Sequence, residues 1–139
     1  MAGMDYIQAY CTGDTRNKII ISDSCIPTLH YVDVGIELAT LLSQNQTSAC
    51  DYAALCRQVF NTNSYDEKID FYLALKNIGI LFEPSLHLNL RTIFENYSVS
   101  QSLFICAEGC VESDKFLFMG DSACVIDLHG LSYKQLKNQ

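Results

Sequence analysis

The sequence predicts an α/β domain of three layers, with a mainly parallel sheet of about five or six strands and an antiparallel edge. Three observations predict it. Short apolar runs such as Lys18–Ile21 alternate with stretches of helical spacing such as Val34, Leu38, Leu41 and Leu42. The runs Ile69–Leu75, broken only by Asp70, and Leu103–Ala107 are apolar on both alternating faces, as strands inside a parallel sheet are. Lys115–Met119 and Ala123–Asp127 then follow one another around a Gly120-Asp121 turn and supply the antiparallel part.

Taken in order, residues 4–11 read as a short helical turn or an irregular lead-in, within a lead-in over 1–17 broken at Thr12-Gly13-Asp14. Lys18-Ile19-Ile20-Ile21 is β-branched and closes at Ser22-Asp23-Ser24, which predicts a buried strand. Pro27 stops any continuation, and Leu29–Val32 reads as a second strand. Asp33 caps a helix that carries Val34, Leu38, Leu41 and Leu42, with Glu37 in its first turn. A polar loop at Gln44–Thr47 precedes Ser48 and Asp51, whose spacing resembles a capping box. The helix they open sets Tyr52, Leu55, Cys56, Val59 and Phe60 on one face and ends at Asn61–Ser64. After the strand at Ile69–Leu75, residues 77–82 form a short helix. Ser85 caps another helix, with Leu90, Ile93, Phe94 and Tyr97 in one stripe. Glu108-Gly109 turns the chain after the Leu103–Ala107 strand, and residues 132–139 read as a polar tail.

The 139 residues fit one domain, 1–139, with no repeat or linker. A hydrophobic share of 49% against 18% charged describes a filled core and an ordinary surface. Nine basic and sixteen acidic residues leave a net charge of -7, and the basic ones are scattered, which argues against direct nucleic-acid binding. The seven cysteines (11, 25, 50, 56, 106, 110 and 124) include no Cys-x-x-Cys pair and read as buried free thiols. Met1-Ala2-Gly3-Met4-Asp5 lacks the regions of a secretion signal, and no apolar run reaches the ~20 residues of a membrane span. A cytoplasmic location without a membrane partner is therefore expected.

Two stretches carry a family resemblance. Tyr31-Val32-Asp33-Val34-Gly35-Ile36-Glu37-Leu38 and, more specifically, Lys76-Asn77-Ile78-Gly79-Ile80-Leu81-Phe82-Glu83-Pro84-Ser85-Leu86 resemble the small P-loop NTPase-like subunit of BREX-type phage-defence systems. The likeness extends over residues 29–128. It implies a P-loop-like α/β fold and a place in a bacterial multi-protein complex.

The departures from that family remove its chemistry. A phosphate loop reads Gly-x-x-x-x-Gly-Lys-Ser/Thr, whose backbone amides and lysine close around phosphate. After Ile21 this chain reads Ser22-Asp23-Ser24-Cys25-Ile26-Pro27-Thr28-Leu29-His30, without glycine or lysine, and Asp23 repels phosphate. The roughly nine residues between the strands are too few for a loop and a crossover helix, so both are expected to be missing. Lys76 stands where the resemblance implies the strand-end Asp that holds the metal shell, and Gly79 where it implies a catalytic Glu. A missing helix leaves one apolar sheet face less covered, which favours a second copy or another subunit as cover.

Other constellations carry less. Cys110, after Gly109, is the expected exposed thiol, but no cation, imidazole or helix start adjoins it in sequence to make it a nucleophile. Cys106, Cys110 and His129 form a loose zinc candidate, although strand positions four apart lie about 13 Å from each other. Asp121 with Asp127, and Glu108 with Glu112, read as solvated acids rather than catalytic pairs. The sequence thus points to a non-catalytic adaptor subunit with a protein partner or homo-oligomer, no catalytic, cofactor-binding or metal residue, and no cofactor. A small-ligand or nucleotide-binding regulator is the alternative, and a thiol-dependent enzyme the third.

Overall fold

The run Ile19–Ser22 forms strand β1, wholly buried, in a computed structural model that describes residues 2–44 and 52–136. β-branched residues suit it because both of its edges are paired and both of its faces are packed. Strand β5 (Ser102–Cys106) runs parallel on one side, with Ile19 opposite Leu103. Strand β9 (Tyr133–Leu136) runs parallel on the other, with Ile19 opposite Tyr133. Beyond β5 lie β4 (Asp70–Lys76) and then β2 (Val32–Asp33), both parallel, giving the order β2–β4–β5–β1–β9. Strand β3 (Ser64–Asp66) makes the antiparallel edge, pairing the first half of β4.

The pleat divides the apolar residues between two cores. Ile19, Ile21, Leu73, Leu75, Leu103 and Ile105 point to one face, under helices α2 (Val34–Gln44), α3 (Tyr52–Phe60) and α4 (Leu90–Val99). Ile20, Tyr72, Ala74 and Phe104 point to the other, under helix α1 (Ala2–Cys11), which contributes Ile7, Tyr10 and Cys11. Helix, sheet and helix make the three layers that the sequence predicts. Each large side chain in these cores contributes roughly 1.5–3 kcal/mol by leaving water.

The second face departs from expectation. Residues 23–31, between β1 and β2, contain no helix, as the short spacing requires. Yet the face is not bare: Ile20, Tyr72, Ala74 and Phe104 are each about 1% exposed. The stretch expected to be a turn or lead-in is a ten-residue helix, α1, and it covers them together with Leu29. Leu29 enters this core instead of extending β2, and the His30 N–H donates to Tyr72 Oη at 2.9 Å. The expected strand from Leu29 is therefore reduced to Val32–Asp33.

Three further differences have local causes. The antiparallel strands after β5 do not edge the main sheet; β6 (Gly109–Glu112), β7 (Lys115–Phe118) and β8 (Val125–Asp127) form a separate meander. Ser113 and Asp114, at φ 51° and 61°, supply the two positive-φ residues of its first hairpin turn. The polar stretch expected as a tail contains β9, whose polarity suits its place at the end of the strand order. Helix α4 begins at Leu90 rather than after Ser85: Asn89 is its cap and accepts from the Thr92 N–H at 3.1 Å, while Pro84–Leu86 form a 3₁₀ turn. The Ser48–Asp51 cap and most of the loop before it lie outside the described residues.

Tyr10 ties α1 to the sheet. Its hydroxyl donates to the Asn17 carbonyl at 3.1 Å, accepts from the Ile19 N–H at 3.3 Å and shares a hydrogen bond with Ser132 Oγ at 2.7 Å. Asn17 is buried and its amide reaches Ser98 Oγ at 3.1 Å, so the end of α4 joins the same network.

Candidate functional site

Parallel strands end together, and in open α/β sheets ligands bind beyond their carboxyl ends. The register fixes which side chains meet there. Leu136, Ser22, Cys106, Lys76 and Asp33 lie in one row across β9, β1, β5, β4 and β2. Two cavities open above the row, each of about 500 Å³.

The first cavity lies over β9, β1 and β5, where a phosphate loop following β1 would stand. Its lining is Ile21, Asp23, Ser24, Ala107, Glu108, Gly109 and Gln135. It carries two carboxylates and no lysine or arginine. The segment after β1 is held by its own bonds rather than by a helix. Ser22 Oγ donates to the Ser24 carbonyl at 2.8 Å, and the Ile26 N–H donates to Tyr31 Oη at 3.1 Å. Burial pushes the Tyr31 phenol up to about 12, so it serves as a neutral acceptor.

The second cavity lies over β2 and β4 and includes Asp33, Glu37, Gln58, Thr62 and Lys76. Asp33 does more than cap α2 by accepting from the Ile36 N–H at 3.0 Å. The same oxygen accepts from Asn77 Nδ2 at 2.8 Å, and the Asn77 carbonyl accepts from the Gly35 N–H at 3.1 Å. The Ile36 N–H first, and the Asn77 amide next, hold the Asp33 carboxyl below its ordinary value. Gly35 permits the approach, because a Cβ there would run into the Asn77 amide. This clasp joins the start of α2 to the residue that follows β4.

The other sequence candidates are dispersed. Lys76 stands at the strand end, in the row. Gly79 lies in a 3₁₀ turn facing the Phe118 ring. Cys110 is half-buried in β6, opposite Leu117, and among the described residues the exposed thiol is Cys25. Cys11 and Cys56 are buried, but Cys106, Cys110 and Cys124 are only partly so, which revises the reading of uniformly buried thiols. His129 lies 3.6 Å from Asp114, and no group of three metal-ligating side chains assembles among the described residues. Asp121 and Asp127 each accept a backbone N–H two residues on, from Ala123 and His129, and so shape turns. Glu112 stands opposite Lys115 in the β6–β7 hairpin, while Glu108 lines the first cavity.

Sequence reasoning misses one contact here. Cys25 Sγ and Cys106 Sγ are 2.9 Å apart, although the residues are 81 positions apart in the chain. The available signal was that each follows or ends an apolar run, Ile19–Ile21 and Leu103–Ile105, whose strands prove to be parallel neighbours.

No helix among the described residues is long and apolar enough to cross a membrane. No protein-family model matches the sequence, and no curated protein or solved structure matches the chain.

Proposed function

We propose that this chain is a non-catalytic interaction subunit: a degenerate P-loop-like domain that acts by binding another protein in a bacterial multi-protein complex, with phage defence as its setting. The observation that carries the reading is the first cavity. At the carboxyl end of β1, where a nucleotide's phosphates would need amides and a lysine, Asp23 and Glu108 line the space and no cation does. Coulomb repulsion opposes a polyphosphate there, and the net charge of -7 adds to it. Lys76 at the end of β4 further opposes Mg²⁺ binding in the place where the resembled family is expected to hold it.

An interaction role has its own support in exposed apolar side chains. Tyr65 and Phe71 are 60% and 52% exposed and pack edge to face, with ring centroids 5.2 Å apart, on the β3–β4 hairpin. Aromatic side chains at a surface suit protein contacts, where they add large area at small entropic cost. With the second face covered, this paired hairpin, rather than bare sheet, is the surface assigned to a partner.

Two measurements test the reading. Thermal melting with Mg·ATP or Mg·GTP is expected to show no shift, because only a ligand that binds the native state raises its melting temperature. A concentration-dependent rise would overturn the reading of a cavity closed to nucleotides and favour the nucleotide-binding regulator. Tagged protein recovered from its host is expected to carry a stoichiometric protein partner that the Phe71→Ser variant loses while keeping its melting temperature. A chain that stays monomeric and unaccompanied would overturn the adaptor reading.

A further inference from the structure

We propose that Cys25 and Cys106 are a thiol pair that closes to a reversible intramolecular disulfide when the protein meets a small-molecule disulfide oxidant. The two sulfurs are already 2.9 Å apart across the carboxyl end of the sheet, closer than unbonded sulfurs rest. Their accessibilities differ in the way a stepwise exchange needs. Cys25 is exposed on the β1–β2 segment, whereas Cys106 is half-buried at the end of β5. An oxidant in solution meets Cys25 first, and Cys106 stands behind it as the resolving thiol. Among the described residues the other cysteines are placed differently. Cys11 and Cys56 are buried, and the Cys124 thiol points to Asp121 at 3.9 Å.

The exchange balances as follows. The Cys25 thiolate attacks one sulfur of the oxidant, forming a mixed disulfide and releasing one small thiol. The Cys106 thiol gives its proton to water, and its thiolate attacks Cys25 Sγ, expelling the second small thiol. Two protein thiols lose two electrons and the oxidant gains them. A reduced dithiol attacks the protein disulfide, forms a mixed disulfide with it and closes to its own cyclic disulfide, which returns both protein thiols.

The surroundings set the pace of the second step. Burial first, then the hydrogen bond and charge of Cys25, push the Cys106 thiol up to about 12. Asp23 opposes its ionisation as well, and Lys76 alone favours it. Tyr31 also adjoins the pair and stays neutral with its own raised value. Once Cys25 is held in a mixed disulfide it no longer opposes the ionisation of Cys106, which Lys76 favours. Ring closure is thus expected to quicken as pH rises, by up to about tenfold per unit, as the thiolate fraction grows. The closed form ties residues 81 positions apart, so it should also melt at a higher temperature.

The experiment exposes fully reduced protein to oxidised glutathione, quenches with acid and alkylating agent, and maps the peptides by mass spectrometry. The expected result is a peptide pair joined through Cys25 and Cys106, a chain lighter by two hydrogens, and recovery of both thiols with dithiothreitol. Cys106→Ser is expected to stop at one glutathione on Cys25, and Cys25→Ser to form no such link, while Cys110→Ser forms it normally. Glutathione persisting on Cys25 of the wild-type chain at pH 9, or links formed only through other cysteines or between chains, would overturn the proposal. The wild-type map decides the matter even if the Cys106→Ser variant fails to fold.

Discussion

Replacing Asn77 by alanine should unlock the clasp between α2 and the end of β4, and its size follows from the geometry. Asn77 has φ 54°, in the left-handed region where alanine costs roughly 1 kcal/mol more than asparagine or glycine. The substitution also removes the 2.8 Å hydrogen bond to Asp33, worth about 0.5–1.5 kcal/mol, and nearer the lower figure because the pair is exposed. The sum is about 1.5–2 kcal/mol, or roughly 5–8 °C in Tm for a domain of this size. Gly35→Ala supplies the reciprocal test. A methyl there meets the Asn77 amide in the wild-type chain and should destabilise it by about 1 kcal/mol or more. In the Asn77→Ala background the obstacle is gone, and alanine's better helix propensity should make the same change neutral or slightly stabilising. Urea denaturation of the four chains measures the coupling, expected to be about 1 kcal/mol or more. Additivity within about 0.4 kcal/mol would refute the clasp. The pH dependence has a definite sign. Asp33 has a folded value below its unfolded one, so its stabilisation is present above the unfolded value of about 3.9 and is lost as pH falls through the folded value. Asn77→Ala should move the Asp33 titration upward, which NMR can follow.

Three other changes probe the frame around the site. Tyr10→Phe leaves the Asn17 carbonyl and Ile19 N–H without their hydroxyl partner and should cost about 1–3 kcal/mol in chemical denaturation; a loss under about 0.5 would show that Tyr10 is not the tie between α1 and the sheet. Gly109→Ala places a methyl against the Leu117 carbonyl and within 2.7 Å of the Phe116 ring, and should cost about 1–3 kcal/mol with changed NMR shifts confined to the β6–β8 meander. A chain stopped after Ser132 lacks β9 and bares one edge of the buried β1, so it should aggregate or fail to melt cooperatively, whereas a dispensable tail would leave Tm unchanged.

What the sequence discloses depends on whether the signal is local. Ile19–Ile21, Ile69–Leu75 and Leu103–Ala107 announce buried strands because both of their faces are apolar, and the Val34 and Tyr52 helices announce themselves by spacing. Strand β9 stays hidden because Tyr133-Lys134-Gln135-Leu136 is polar enough for an edge, and its partner lies more than a hundred residues earlier. The covering role of α1 is equally long-range: nothing in residues 2–11 says that they pack over Ile20, Tyr72 and Phe104. At the site, the want of glycine and lysine in residues 22–30 is legible in the sequence. The Asp33–Asn77–Gly35 clasp and the Cys25–Cys106 contact are not, since each depends on which strands become neighbours.

Both features of the sheet's carboxyl edge follow from the short connection after β1. In the sheet, β1 and β2 are separated by β5 and β4, three steps of about 4.8 Å, or roughly 14 Å. The nine or so residues available can reach about 30 Å when extended, enough to cross the edge but not to build a loop and helix on the way. The segment therefore travels past the end of β5, the first strand it meets, and this brings Cys25 against Cys106. It continues beside β4, where His30 is held by Tyr72, before reaching β2. A chain laid across the strand ends in this way brings Asp23 to the cavity there. With no helix between β1 and β2, the apolar face beneath is covered by α1, which precedes β1 in the chain. The short connection after β1 thus accounts for the thiol pair above β5 and leaves the second face to the helix ahead of β1.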